Sequence, residues 1–155
     1  DELSETGLIF THANSDKNGR IINKMITEYV SSHKDKAVEF KSLGQLRYLS
    51  ALQFVDFVIG NSSSGMTEVP AFYIPTINIG DRQKGRINCE SVINSNNSLK
   101  DIKKSITFAL DKTFREKIQQ QELLYGNGTA SEKILQIIKE HNHISIKKSF
   151  YNIDF

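Results

Sequence analysis

Short apolar runs alternate with amphipathic stretches along this 155-residue chain, and that alternation predicts an α/β fold. Three observations carry the expectation. The apolar runs are brief and rich in branched residues, as strands buried on both faces require. The stretches between them repeat apolar residues at helical spacing. Polar loops leave the ends of the runs, where a parallel sheet opens toward its ligands. Strands joined through helices take right-handed crossovers, so the expected architecture is a Rossmann-like, doubly wound parallel sheet.

The elements follow in order. Leu8-Ile9-Phe10 reads as a first strand, and Asn14 to Gly19 as a loop of turn and capping residues. Ile21, Ile22, Met25, Ile26, Tyr29 and Val30 mark an amphipathic helix. Ala37 to Phe40 is a second strand, Leu46 to Phe54 a helix, and Val55 to Ile59 a third strand. After Gly60 a short helix is expected from Met66 to Tyr73, then a fourth strand over Pro75 to Ile79, its proline at the edge. Ser91-Val92-Ile93 is a fifth strand, Leu99 to Leu110 a helix, and a polar helix starts at Lys112. Thr129 and Glu132 form a capping box for the last helix, whose buried face is Ile134, Leu135, Ile137 and Ile138. The expected domain spans residues 1–143, with a tail over 144–155.

Composition excludes more than it assigns. With 38% hydrophobic and 25% charged residues the chain reads as a globular domain. A net charge of +2 argues against nucleic acid or an anionic membrane as partner. No apolar run approaches the ~20 residues of a membrane helix. The lone Cys89 excludes an internal disulfide and fits a reducing cytoplasm. The chain opens on Asp1 without methionine, as a fragment would. His12, His33, His141 and His143 lack an acidic partner at telling spacing and read as non-catalytic, and no cluster of ligand residues points to a metal. No cofactor is expected.

Four polar loops are the candidate site: residues 12–19, 41–44, 60–65 and 80–86. Gly60-Asn61-Ser62-Ser63-Ser64-Gly65 offers backbone N–H groups and hydroxyls at a helix start, which suits a phosphate and equally suits a serine-rich cap. Glu68 is placed for a ribose diol or for solvent. Asp81-Arg82-Gln83-Lys84-Gly85-Arg86 is either a pair of phosphate-clamping arginines or a charged surface turn. Asn14, with Asp16 nearby, is a ligand donor or a helix cap.

Read together, these segments resemble the sialic-acid-pathway branch of the hydrolysing UDP-N-acetylglucosamine 2-epimerases. The matching strings are Ser42-Leu43-Gly44, Arg47-Tyr48-Leu49-Ser50, Val58 through Gly65, Glu68-Val69-Pro70, and Pro75 through Arg86. Asn14-Ser15-Asp16, Gly19-Arg20, Tyr125-Gly126-Asn127-Gly128 and Lys147 to Tyr151 extend the likeness over most of the chain. The resemblance implies the C-terminal domain of a GT-B-type, two-domain enzyme whose N-terminal domain is absent here. It implies that Ser62 and Ser63 hold the diphosphate, Glu68 the ribose, and the Leu43 backbone the uracil. Asn14 and Arg82 would face phosphates and sugar, with Gln83 and Arg86 buttressing that loop. No catalytic residue is expected in this chain, because the family's acids and bases lie mainly in the N-terminal domain. The implied partners are a UDP-sugar, the product UDP and that N-terminal domain, with self-association of the full-length enzyme left open. Three alternatives stay open: a diacetylbacillosamine-type UDP-sugar as substrate, the donor domain of a GT-B glycosyltransferase, and a non-catalytic nucleotide-binding module.

Overall fold

The structure is a computed structural model that describes residues 3, 5–14, 18–141, 147, 151 and 153. Asp16 and most of the expected tail lie outside the described residues. The chain folds as two compact units, Asp1–Val55 and Asp56–Phe155. Both are α/β with parallel strands, as the alternation predicts.

In the first unit β1 (Leu8–Thr11), α1 (Gly19–Ser32) and β2 (Ala37–Phe40) form a βαβ unit, followed by α2 (Gly44–Ala51). β1 and β2 pair in parallel from Leu8 opposite Ala37 to Thr11 opposite Phe40. Tyr29 of α1 meets Phe10 edge-on, with ring centroids 5.9 Å apart, and stacks on His33 at 4.1 Å. α2 stops short of the expected Phe54. Gln53 and Phe54 donate to the carbonyls of Ser50 and Ala51, three residues back, and this tighter turn swings Phe54 out into solvent.

The second unit runs β3 (Val58–Gly60), α3 (Ser64–Thr67), a 3-10 turn (Val69–Phe72), β4 (Thr76–Ile79), β5 (Val92–Ser95), α4 (Leu99–Ala109), α5 (Lys112–Ile118) and α6 (Ala130–Glu140). Its sheet is parallel in the order β3-β4-β5, with Gly60 opposite Asn78 and Ile79 opposite Ser95. Met66, Val69, Ile77, Ala109 and Ile118 are sealed in its core. β3 begins at Val58 rather than Val55, because Pro75 has no N–H with which to continue the ladder toward the start of the strand. β5 starts one residue later than expected and reaches Ser95. No helix among the described residues is long and apolar enough to cross a membrane.

Two helix expectations are corrected. The helix foreseen over Met66 to Tyr73 starts at Ser64 and breaks at Glu68, since Pro70 cannot donate to the Met66 carbonyl and the chain tightens to 3-10 geometry. The Thr129–Glu132 capping box is not made. The Thr129 hydroxyl donates instead to Asn127 Oδ1 at 2.8 Å, a partner two residues away on the Gly126–Gly128 turn. The apolar stripe of α6 forms at the expected spacing, but Ile134, Leu135, Ile137 and Ile138 are all exposed rather than buried. Helical periodicity aligns a stripe without supplying the layer that covers it.

Candidate functional site

In the second unit the parallel register brings the carboxyl ends of β3, β4 and β5 to one rim. The loop carrying Ser62 and Ser63 leaves β3 there, and the loop carrying Arg82, Gln83 and Arg86 leaves β4 beside it. Five of the eight expected binding residues therefore share one edge of one sheet. Glu68 lies farther along the first of these chain paths, half-buried at the junction of α3 with the 3-10 turn. Asn14 and Leu43 follow the carboxyl ends of β1 and β2 in the first unit, Asn14 exposed and Leu43 half-buried as the residue before α2.

Packing from below holds the serine loop in place. Gly65 lies so close to β4 that a Cβ there would come within 2.6 Å of Thr76 Cγ2. Thr76, itself buried, donates its hydroxyl to the Gly65 carbonyl at 2.9 Å. The loop closes with Gly65 N–H to Ser62 O at 3.2 Å and Met66 N–H to Ser63 O at 2.9 Å. Ser64 N–H reaches Ser62 Oγ at 3.4 Å. The N–H groups of Ser62 and Ser63 have no backbone acceptor among the described residues. α3 is only four residues long, so its dipole is small, and the attraction for an anion rests on local donors rather than on a helix macrodipole.

The β4 loop turns at Gly80 and Gly85, with φ of 77° and 85°, conformations that favour glycine. Lys84 N–H donates to Asp81 O at 2.9 Å, and Arg86 N–H to Gln83 O at 3.2 Å. Arg82 and Arg86 are exposed, and neither guanidinium pairs with a carboxylate among the described residues. Gln83 alone turns inward. It is 6% exposed, and its Nε2 donates to the Asn61 carbonyl of the neighbouring loop at 2.7 Å.

Asn23, Thr27, Glu39 and Gln121 enter the picture although no local pattern singled them out as site residues. Asn23 clips the loop after β1, accepting from Ala13 N–H at 2.7 Å and donating to Ala13 O at 3.3 Å. His12, which has no acidic partner at telling spacing in the sequence, donates to Glu39 Oε2 at 2.7 Å, and Thr27 donates to the same oxygen at 2.9 Å. These bonds, His12 first, hold the Glu39 carboxyl below its ordinary pKa. Glu39 is 27 residues from His12 in sequence, and parallel pairing of β1 with β2 brings the two together. Gln121 ties the second unit from within, donating to Pro70 O at 3.0 Å and accepting from Ser91 N–H at 2.9 Å.

The family described as UDP-N-acetylglucosamine 2-epimerase matches residues 1–139. The chain belongs to that family. It is 41% identical over 116 residues to the GDP/UDP-N,N'-diacetylbacillosamine 2-epimerase (hydrolyzing) of Campylobacter jejuni, covering 75% of this chain and 30% of that protein. It is 34% identical over 150 residues to the polysialic acid biosynthesis protein P7 of Escherichia coli, covering 94% and 37%. Its fold matches a crystal structure described as a UDP-N-acetylglucosamine 2-epimerase of Listeria monocytogenes, with a TM-score of 0.60 at 18% identity over 96% of this chain and 49% of that one. The chain spans about a third of the length of the curated relatives it matches.

Proposed function

We propose that this chain is the nucleotide-binding half of a hydrolysing UDP-sugar 2-epimerase, with UDP-N-acetylglucosamine as substrate. The observation that carries the reading is the shared rim of the second unit, where, among the described residues, the Ser62 and Ser63 N–H groups lack a backbone acceptor and the Arg82 and Arg86 guanidinium groups lack a carboxylate partner, on loops that leave adjacent strand ends. In the proposed complex Ser62 and Ser63 donate to the diphosphate, Arg82 faces its oxygens, and Glu68 accepts from the ribose hydroxyls. The reaction is elimination of UDP to a 2-acetamidoglucal, followed by addition of water to give N-acetylmannosamine. This chain's share of that chemistry is to bind and stabilise the departing UDP. A diacetylbacillosamine-type sugar is a second reading, favoured by the 41% identity to the Campylobacter protein. Both readings use the same nucleotide contacts.

Titration of the chain with UDP and with uridine, followed by amide NMR shifts, tests the nucleotide site. UDP is expected to bind more tightly than uridine, at around millimolar affinity or about −4 kcal/mol. Ser63→Ala is expected to weaken UDP by about 1–2 kcal/mol and to leave uridine unchanged. Glu68→Ala is expected to weaken both ligands, since each carries the ribose. Equal shifts from UDP and uridine, or shifts that avoid residues 60–68, would refute the phosphate-loop assignment.

A further inference from the structure

We propose that Gln83 is a positioning residue that fastens the arginine loop to the serine loop, so that the two meet one anion in a fixed register. This role rests on the nucleotide-binding reading above and supplies the device that makes two separate loops act together.

Of the residues from Asp81 to Arg86, Gln83 alone is buried, its neighbours standing in solvent. Its Nε2 donates to Asn61 O at 2.7 Å, and its Oε1 is buried with no donor among the described residues. A buried amide with half its hydrogen-bonding capacity unmet is a poor stabiliser of a surface turn. Its single bond nevertheless spans the two loops at a telling atom. The Asn61 carbonyl and the Ser62 N–H belong to one planar, trans peptide unit, so they point in opposite directions. Holding the carbonyl toward Gln83 therefore fixes the direction of the Ser62 N–H, opposite to that carbonyl. The same bond anchors the backbone between Arg82 and Lys84, which sets where the Arg82 guanidinium emerges. β3 and β4 are hydrogen-bonded neighbours with Gly60 opposite Asn78, so the bond closes a short circuit across two adjacent strand ends.

The experiment is amide NMR on the chain carrying Gln83→Met or Gln83→Glu, first without ligand and then with UDP. Without ligand, Gln83→Met is expected to shift amides of both 60–65 and 80–86 while the Ile77 amide stays in place. UDP binding should weaken about 2–10-fold, the worth of one hydrogen bond. Gln83→Glu adds a readout that mere packing would not move. Its protonated carboxyl can donate to Asn61 O, whereas its carboxylate faces that oxygen with like polarity. Wild-type shifts at residues 61 and 62 should therefore return as pH falls through the titration of the new carboxyl. A Ser62 amide unmoved by Gln83→Met, or a Glu variant without recovery at low pH, overturns the proposal. If the Met variant fails to fold, the Glu titration decides alone. A wild-type chain that ignores UDP refutes the nucleotide reading, while the fastening is judged on the ligand-free spectra.

Discussion

At the residue scale, the polar side chains that matter most are those with partners far away in sequence. His12 and Thr27 both donate to Glu39, and their bonds depress its pKa from the ordinary 4.5. The linkage has a definite sign. A carboxyl with a folded pKa below its unfolded value contributes stability that is fully present above the unfolded pKa and is lost as pH falls through the folded one. Thermal unfolding of the wild-type chain should therefore shift to lower temperature as pH drops below about 4.5, from this group among others. Glu39→Gln should lose stability at neutral pH and show a shallower acid limb. Melting curves at several pH values check this, and identical acid limbs would show that the pair contributes nothing to the linkage.

At the scale of elements, local signals set where helices begin and long-range clips set how they stack. α4 and α5 start where Ser98 and Asp111 accept from the N–H groups of Asp101 and Phe114, caps written in the local sequence. Gln121 is different. It bonds residues 51 and 30 positions away, so no window of sequence announces it. Gln121→Ala would leave the Ser91 N–H buried without its acceptor, while the Pro70 carbonyl would keep the Tyr73 N–H as donor at 3.1 Å. The expected cost is about 1–3 kcal/mol, from the one backbone N–H left unsatisfied. Urea denaturation would measure it, and a loss below about 0.5 kcal/mol would mean that water replaces the amide oxygen at the Ser91 N–H. The clip also braces the segment from Glu68 to Pro70, so Gln121→Ala should broaden the Glu68 amide resonance.

At the scale of the whole molecule, the length of the relatives frames what this chain can do. It spans 30% and 37% of the two curated relatives compared, and its family is one of enzymes acting on nucleotide sugars. The chain by itself is expected to lack epimerase activity even when folded. The proton-transfer groups implied by the resemblance lie elsewhere, and each positioned acid or base typically contributes about 10²–10⁴-fold. Release of N-acetylmannosamine from UDP-N-acetylglucosamine by the purified chain, at rates above a heat-denatured control, would overturn that expectation.

The order of strands and helices, the glycine and serine loops and the family were legible in the amino-acid sequence. Each is written in short-range periodicity or in a contiguous string. Leu8–Thr11 and Thr76–Ile79 form strands close to where their branched apolar residues place them, and the loops after β3 and β4 lie at one sheet rim as the parallel topology requires. Only tertiary structure decided that Gln83 turns inward while Arg82 turns out, and that His12 meets Glu39. It also decided that the stripe of α6 stays uncovered among the described residues. Periodicity specifies which face of an element a residue occupies, whereas strand register and chain crossing specify what that face meets. Those are properties of pairs of segments, and a single sequence read along its length does not contain them.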